Sequence, residues 1–193
     1  MHSFSAYFGL GFNHILWPLA YDHVLFVASL CLLFVPNKLK PLFWLITAFT
    51  IGHSITLFLV GLKILHAPIN FIEFLIPITI ALSAAFNLFA INKRQKPKLK
   101  LQYTITAIFG MVHGIAFATE TFGLEGVTGL AIKVLAFNIG IEIAQICIVF
   151  LVWFFTYIFV QKFKVKINIW VQLCSGIIIL YATYLAIENF KNL

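Results

Sequence analysis

Leu42-Phe43-Trp44-Leu45-Ile46-Thr47-Ala48-Phe49-Thr50-Ile51-Gly52-His53-Ser54-Ile55-Thr56-Leu57-Phe58-Leu59-Val60-Gly61-Leu62 runs without an aspartate, glutamate, lysine or arginine. At 1.5 Å per residue, a helix of this length covers about 30 Å, the thickness of bilayer hydrocarbon. The apolar residues are continuous rather than alternating, so the stretch predicts a spanning helix and not a barrel strand. One imidazole, His53, stands in its interior. Such a ring is costly in hydrocarbon unless it pairs, binds a cation or does chemistry.

The pattern recurs on both sides. Hydrophobic residues make up 62% of the 193-residue chain and charged residues 10%, with a mean hydropathy of +1.03. These values depart far from the globular average of about half apolar and a quarter charged. Six spans are predicted, at about 19–35, 42–62, 71–91, 101–119, 133–160 and 169–187. Residues 3–19 are apolar but interrupted by Gly9, Gly11 and Pro18. They read as a short N-terminal interfacial or re-entrant segment, with a seventh span as the alternative. The expected fold is therefore all-α, a polytopic transmembrane helix bundle forming one domain over residues 1–193 in contact with the lipid bilayer.

The net charge of +7 does not point to nucleic acid, because nearly all 13 Lys and Arg lie in the short connections between spans. The most basic connections are 36–41, 92–100 and 161–168. The positive-inside rule makes these cytoplasmic and puts both termini outside a bacterial-type plasma (inner) membrane. Met1 to Tyr7 has no positive n-region and is taken as part of the mature chain. Cys31, Cys147 and Cys174 match no CxxC spacing and read as small buried hydrophobes. The 22 phenylalanines read as lipid-facing filler.

The remaining polar residues fall at one depth under this topology. Asp22 and His23 open the first span from outside, and His53 lies about a dozen residues up the second. His113 takes the matching height on the fourth span, and Glu73 opens the third from outside. Asn138, Glu142 and Gln145 follow i, i+4, i+7 spacing and form one stripe of the fifth span. Thr47, Thr50, His53 and Ser54 share a face of the second. Gly110 and Gly114 flank His113 as a small-xxx-small face that lets a neighbouring helix approach. Phe49-x-x-x-His53-Ser54 is also echoed by Phe109-x-x-x-His113-Gly114.

Imidazole and carboxylate together suit nickel, cobalt or zinc. The candidate metal ligands are His23, His53, His113, Asp22, Glu142, His14 and Glu73, with Asn138, Gln145 and Ser54 as supporting groups that orient them. Two activities fit a divalent transition metal held there. One is a permease, with the metal ion as its substrate. The other is an intramembrane zinc-dependent hydrolase, with Asp22 or Glu142 as general base; no HExxH segment accompanies it. A non-catalytic helper subunit is a third reading. His2 and His66 read as solvated, and Glu120, Glu125 and Glu188 as markers of loops and an end.

Five segments, in order along the chain, carry a resemblance to a known family: His14…Asp22-His23-Val24-Leu25-Phe26, Phe49-Thr50-Ile51-Gly52-His53-Ser54-Ile55-Thr56-Leu57, Glu73…Ser83, Gly110-Met111-Val112-His113-Gly114-Ile115-Ala116-Phe117-Ala118 and Phe137-Asn138-Ile139-Gly140-Ile141-Glu142-Ile143-Ala144-Gln145. Together they resemble the HupE/UreJ family of small membrane proteins. The resemblance implies a polytopic bundle associated with nickel or cobalt uptake for metalloenzymes. Its permease pattern places a His shortly before the Asp-His pair and has a second motif close to Phe-His-Gly-x-Ala-His-Gly-x-Glu. Here His14 lies farther upstream, Phe109 stands where the first His of the second motif would be, and Ala116 replaces its Glu, which resembles a divergent branch of the family.

Overall fold

The computed structural model describes residues 2–17, 20–34, 39–93, 99–121 and 129–193. These form seven α-helices and no strand: α1 (His2–Leu16), α2 (Tyr21–Phe34), α3 (Leu39–Gly61), α4 (Ile69–Lys93), α5 (Leu99–Thr121), α6 (Leu130–Tyr157) and α7 (Ile167–Phe190). The last turn of α6 widens into a π-helical segment, Ile158–Lys162. Five helical stretches are long and apolar enough to cross a membrane: Leu39–Gly61, Ile69–Ile91, Leu99–Ala118, Leu130–Lys162 and Ile167–Phe190. The chain is thus a multi-pass membrane protein. Pro18, residues 36–38 and 94–98 of the first and third basic connections, and the Gly123–Glu125–Gly126 connection lie outside the described residues, as does the side chain of Glu120.

The ends of the helices fall close to the predicted spans, and the first two elements add what the apolar runs alone do not show. With 14 residues, α2 is only about 21 Å long and falls short of the hydrocarbon thickness. It threads the middle of the bundle, touching α3, α4, α6 and α7. The N-terminal segment is a helix of 15 residues, and Gly9 and Gly11 do not interrupt it. Gly11 is needed because a Cβ there would collide with the carbonyl of Phe137 on α6. Gly140 makes the reciprocal approach to the backbone of Phe8 and Phe12, so α1 packs closely along α6.

The second close pair is α3 with α5. A Cβ on Gly52 would meet the carbonyl of Ala107, and one on Gly110 would meet that of Phe49. His53 and His113 are each the fifteenth residue of their helix, so this crossing sets the two rings at one height. The third pair is α4 with α7, joined through α2 by a buried polar cluster. Ser29 Oγ and Ser83 Oγ are 2.9 Å apart, and Asn87 Nδ2 donates to the Ser29 carbonyl at 2.8 Å and toward Ser175 Oγ at 3.5 Å.

Phenylalanine is not only filler. Phe26, Phe49 and Phe137 are among the most buried side chains, because the space between three helix pairs is wide enough to need aromatic rings. Cys31 is buried as expected, whereas Cys147 is exposed on the outer surface and Cys174 is half-buried, as a small apolar group in a lipid-facing helix can be.

Candidate metal site

Three histidines from three other helices surround His23 of α2. Its ring centroid lies 5.2 Å from that of His14 on α1, 6.0 Å from His53 on α3 and 5.4 Å from His113 on α5. His23, His53 and His113 are almost completely buried, at 2%, 0% and 1% exposure, so none of them is open to bulk water. Phe26, Phe49, Phe117 and Phe137 wall them in; Phe117 lies 4.2 Å from His14 and stacks at 4.6 Å on Phe137.

The hydrogen bonds assign the tautomers of two rings. Asp22 Oδ1 lies 3.0 Å from His23 Nδ1 and also accepts the His23 backbone N–H at 2.8 Å. A carboxylate can only accept, so Nδ1 carries the proton and Nε2 presents a lone pair. On α5, His113 Nδ1 lies 2.8 Å from the carbonyl of Phe109, which likewise leaves Nε2 as an acceptor. Both Nε2 atoms are buried and have no hydrogen-bond partner, and the same holds for His14 Nε2 and for both ring nitrogens of His53. Five imidazole nitrogens are therefore orphaned in one small volume. Each unsatisfied buried polar group costs about 1–3 kcal/mol, so a packing role does not account for the set.

The donor chemistry fits a late transition metal, with nitrogen donors oriented by a carboxylate and a backbone carbonyl. With metal–nitrogen bonds of about 2.0–2.1 Å, rings sharing one tetrahedral ion have centroids roughly 5 Å apart, close to the spacing seen here. No three His, Cys, Asp or Glu side chains among the described residues are arranged to hold an ion as they stand. Capture would require the rings to rotate about their side-chain torsions.

The other residues singled out in the sequence lie at various distances from this cluster. Asp22 is 29% exposed and is the accessible edge of the site. Asn138 stands close enough to His53 to act on its ring, yet no bond of hydrogen-bonding geometry joins the two; its Nδ2 donates to the Val134 carbonyl at 2.7 Å and its Oδ1 is unpartnered. Glu142 lies one turn further along α6, where Thr47 donates to its Oε1 at 2.7 Å. Gln145 Oε1 receives Thr50 Oγ1 at 3.4 Å. Ser54 Oγ returns to its own helix, donating to the Thr50 carbonyl at 2.7 Å.

The side chain of Glu73 is exposed in the first turns of α4, and the backbone explains its position. Pro77 lies inside α4 and has no N–H to offer the carbonyl four residues earlier. That carbonyl belongs to Glu73, and Asn189 Nδ2 of α7 donates to it at 2.7 Å. The phenylalanine wall and the Ser29–Asn87 cluster were missed in the sequence, where single Phe, Ser and Asn residues in apolar runs carry no distinguishing spacing.

A family model described as HupE / UreJ protein matches residues 1–189. The chain belongs to the HupE/UreJ family. No curated protein and no solved structure matches it. Of the five segments shared in outline with the HupE/UreJ pattern, four bring side chains to the ring cluster: His14 with His23, Phe49 with His53, His113 with Phe117, and Phe137 with Asn138. The fifth, from Glu73 to Ser83, contributes to the packing of α4 on α7 and α2 instead.

Proposed function

We propose that this protein is a divalent metal permease of the nickel or cobalt type, with the metal ion as its substrate and the His14, His23, His53 and His113 cluster as its capture site. The observation that carries the reading is the set of five buried imidazole nitrogens without partners beside an accessible carboxylate. Asp22 presents negative charge at the edge of the cluster, attracts a cation and holds the His23 ring with Nε2 turned away from it. The cation then exchanges water for imidazole nitrogen inside the phenylalanine wall.

A preassembled coordination sphere would hold the ion too firmly to conduct it. Rings that must rotate to bind also let go, and conduction needs both properties. The basic residues Lys40 and Lys100 stand where α3 and α5 begin, and Lys162, Lys164 and Lys166 lie between α6 and α7. By the positive-inside rule, that face of the bundle is cytoplasmic and the first turn of α2 faces outward.

Metal content of the purified chain and uptake of labelled Ni²⁺ into proteoliposomes test this directly. The wild-type chain should bind and transport Ni²⁺ or Co²⁺, whereas His53→Ala and His113→Ala should do neither. Wild-type protein that binds no metal would sink the reading. Tight retention of metal without uptake would instead favour the resident zinc of a hydrolase.

A further inference from the structure

Below the imidazoles, α3 and α6 face each other with a group of polar residues. His53 stands with Asn138 at the top; below them Thr47 donates to Glu142 and Thr50 to Gln145, and the two contacts cross, because Glu142 lies nearer Asn138 along α6 than Gln145 does. Thr47 lies six residues before His53, or about 9 Å along the helix. Glu142 is half-buried in the longest apolar helix of the chain, and no Lys, Arg or His pairs with it among the described residues. An intramembrane carboxylate held only by a hydroxyl needs a reason to be there. Thr47 also lines a groove of about 480 Å³ with Trp44, Ala48, Ile51 and Tyr103.

We propose that Glu142 is a second station for the transported cation, on the exit side of the histidine cluster. The inference rests on the permease reading above. Below the histidines the available donors change from imidazole nitrogen to the hydroxyl, amide and carboxylate oxygens of Thr47, Thr50, Gln145 and Glu142. A late transition metal binds such oxygen donors more weakly than imidazole, so passing from the rings to this level eases release. The carboxylate compensates the charge of an ion that has left the histidines, and Thr47 holds that carboxylate facing α3.

Two measurements on the full chain, Ni²⁺ binding in detergent and Ni²⁺ uptake into proteoliposomes, separate the possibilities. Glu142→Gln should bind Ni²⁺ within about twofold of wild type while uptake falls roughly tenfold or more, and Glu142→Asp should recover part of the rate. Thr47→Val leaves the carboxylate in place and should slow uptake with binding intact, which keeps the test open if Glu142→Gln fails to fold. Undiminished uptake in both Glu142→Gln and Thr47→Val overturns the second station. Joint loss of binding and uptake in Glu142→Gln also overturns it, because Glu142 would then belong to the upper site. Failure of the wild-type chain to take up Ni²⁺ is a separate result that removes the permease reading itself.

Discussion

Two polar clusters are buried in this bundle, and they are built in opposite ways. Ser29, Ser83, Asn87 and Ser175 bind one another across α2, α4 and α7, and none of them is left with an orphaned side-chain atom. His14, His23, His53 and His113 crowd together across α1, α2, α3 and α5 and leave five nitrogens unpaired. The first cluster lowers the energy of the packed state and fixes helix register. The second raises that energy, which under the permease reading proposed above is the cost of keeping nitrogens free to bind. Burial and polarity are alike in the two places, so hydrogen-bond satisfaction is what distinguishes them.

The largest expected effect comes from His53→Leu. Leucine keeps much of the volume and removes both unpaired nitrogens, so metal affinity should fall roughly 100-fold, about 2.7 kcal/mol. Thermal stability without metal should hold or rise by about 1 kcal/mol, since no satisfied bond is lost. Isothermal titration with Ni²⁺ and a metal-free melting curve read the two effects separately. A large drop in the metal-free melting temperature would place the imidazoles in the same structural class as the serines.

Asn87→Ala is the converse experiment. It removes the donor to the Ser29 carbonyl and should destabilise the bundle by about 1–2 kcal/mol, the upper range for interhelical hydrogen bonds in membranes, with Ni²⁺ affinity unchanged. Loss of affinity in step with stability would show that the two clusters are coupled through α2. Asp22→Asn acts between these extremes. Asparagine can still accept from His23 Nδ1 but lacks the charge, so affinity should drop about tenfold with little change in melting temperature. If affinity is unaltered, the carboxylate has no part in drawing the cation to the cluster.

How much of this was legible in the sequence depends on which physical signal each feature leaves. Spans leave a strong one: the ends of α3 to α7 fall within a few residues of the apolar runs, because hydrocarbon thickness sets their length. The convergence of His23, His53 and His113 was also legible, since buried imidazoles are rare enough to stand out and Gly110 marks the close crossing of α3 with α5. The pairing of α1 with α6 was not. Gly9 and Gly11 suggest a break when read along the chain, and only the neighbouring carbonyl of Phe137 shows why Gly11 is there. Glu73 illustrates a related limit, because the role of that position lies in its carbonyl, freed by Pro77, which no side-chain pattern reports. Glu142 stood out as a buried carboxylate, but its placement beside Thr47 rather than among the rings depends on how α3 and α6 cross.

Ser54 gives the smallest effect and the sharpest control. It adjoins His53 in sequence, and its spacing puts it on the same face as Thr47 and Thr50, so a supporting role beside the imidazole was the natural expectation. Its hydroxyl instead donates to the Thr50 carbonyl, one turn back on its own helix. Such a back-bond adds little to helix stability, and losing it exposes no buried partner, since that carbonyl already serves the helix. Ser54→Ala should therefore change stability by less than about 0.5 kcal/mol and leave Ni²⁺ affinity within about twofold. A fall in affinity of about tenfold would mean that the hydroxyl turns from Thr50 toward the rings when metal arrives, and the boundary between the satisfied and unsatisfied groups would have to be redrawn to include it.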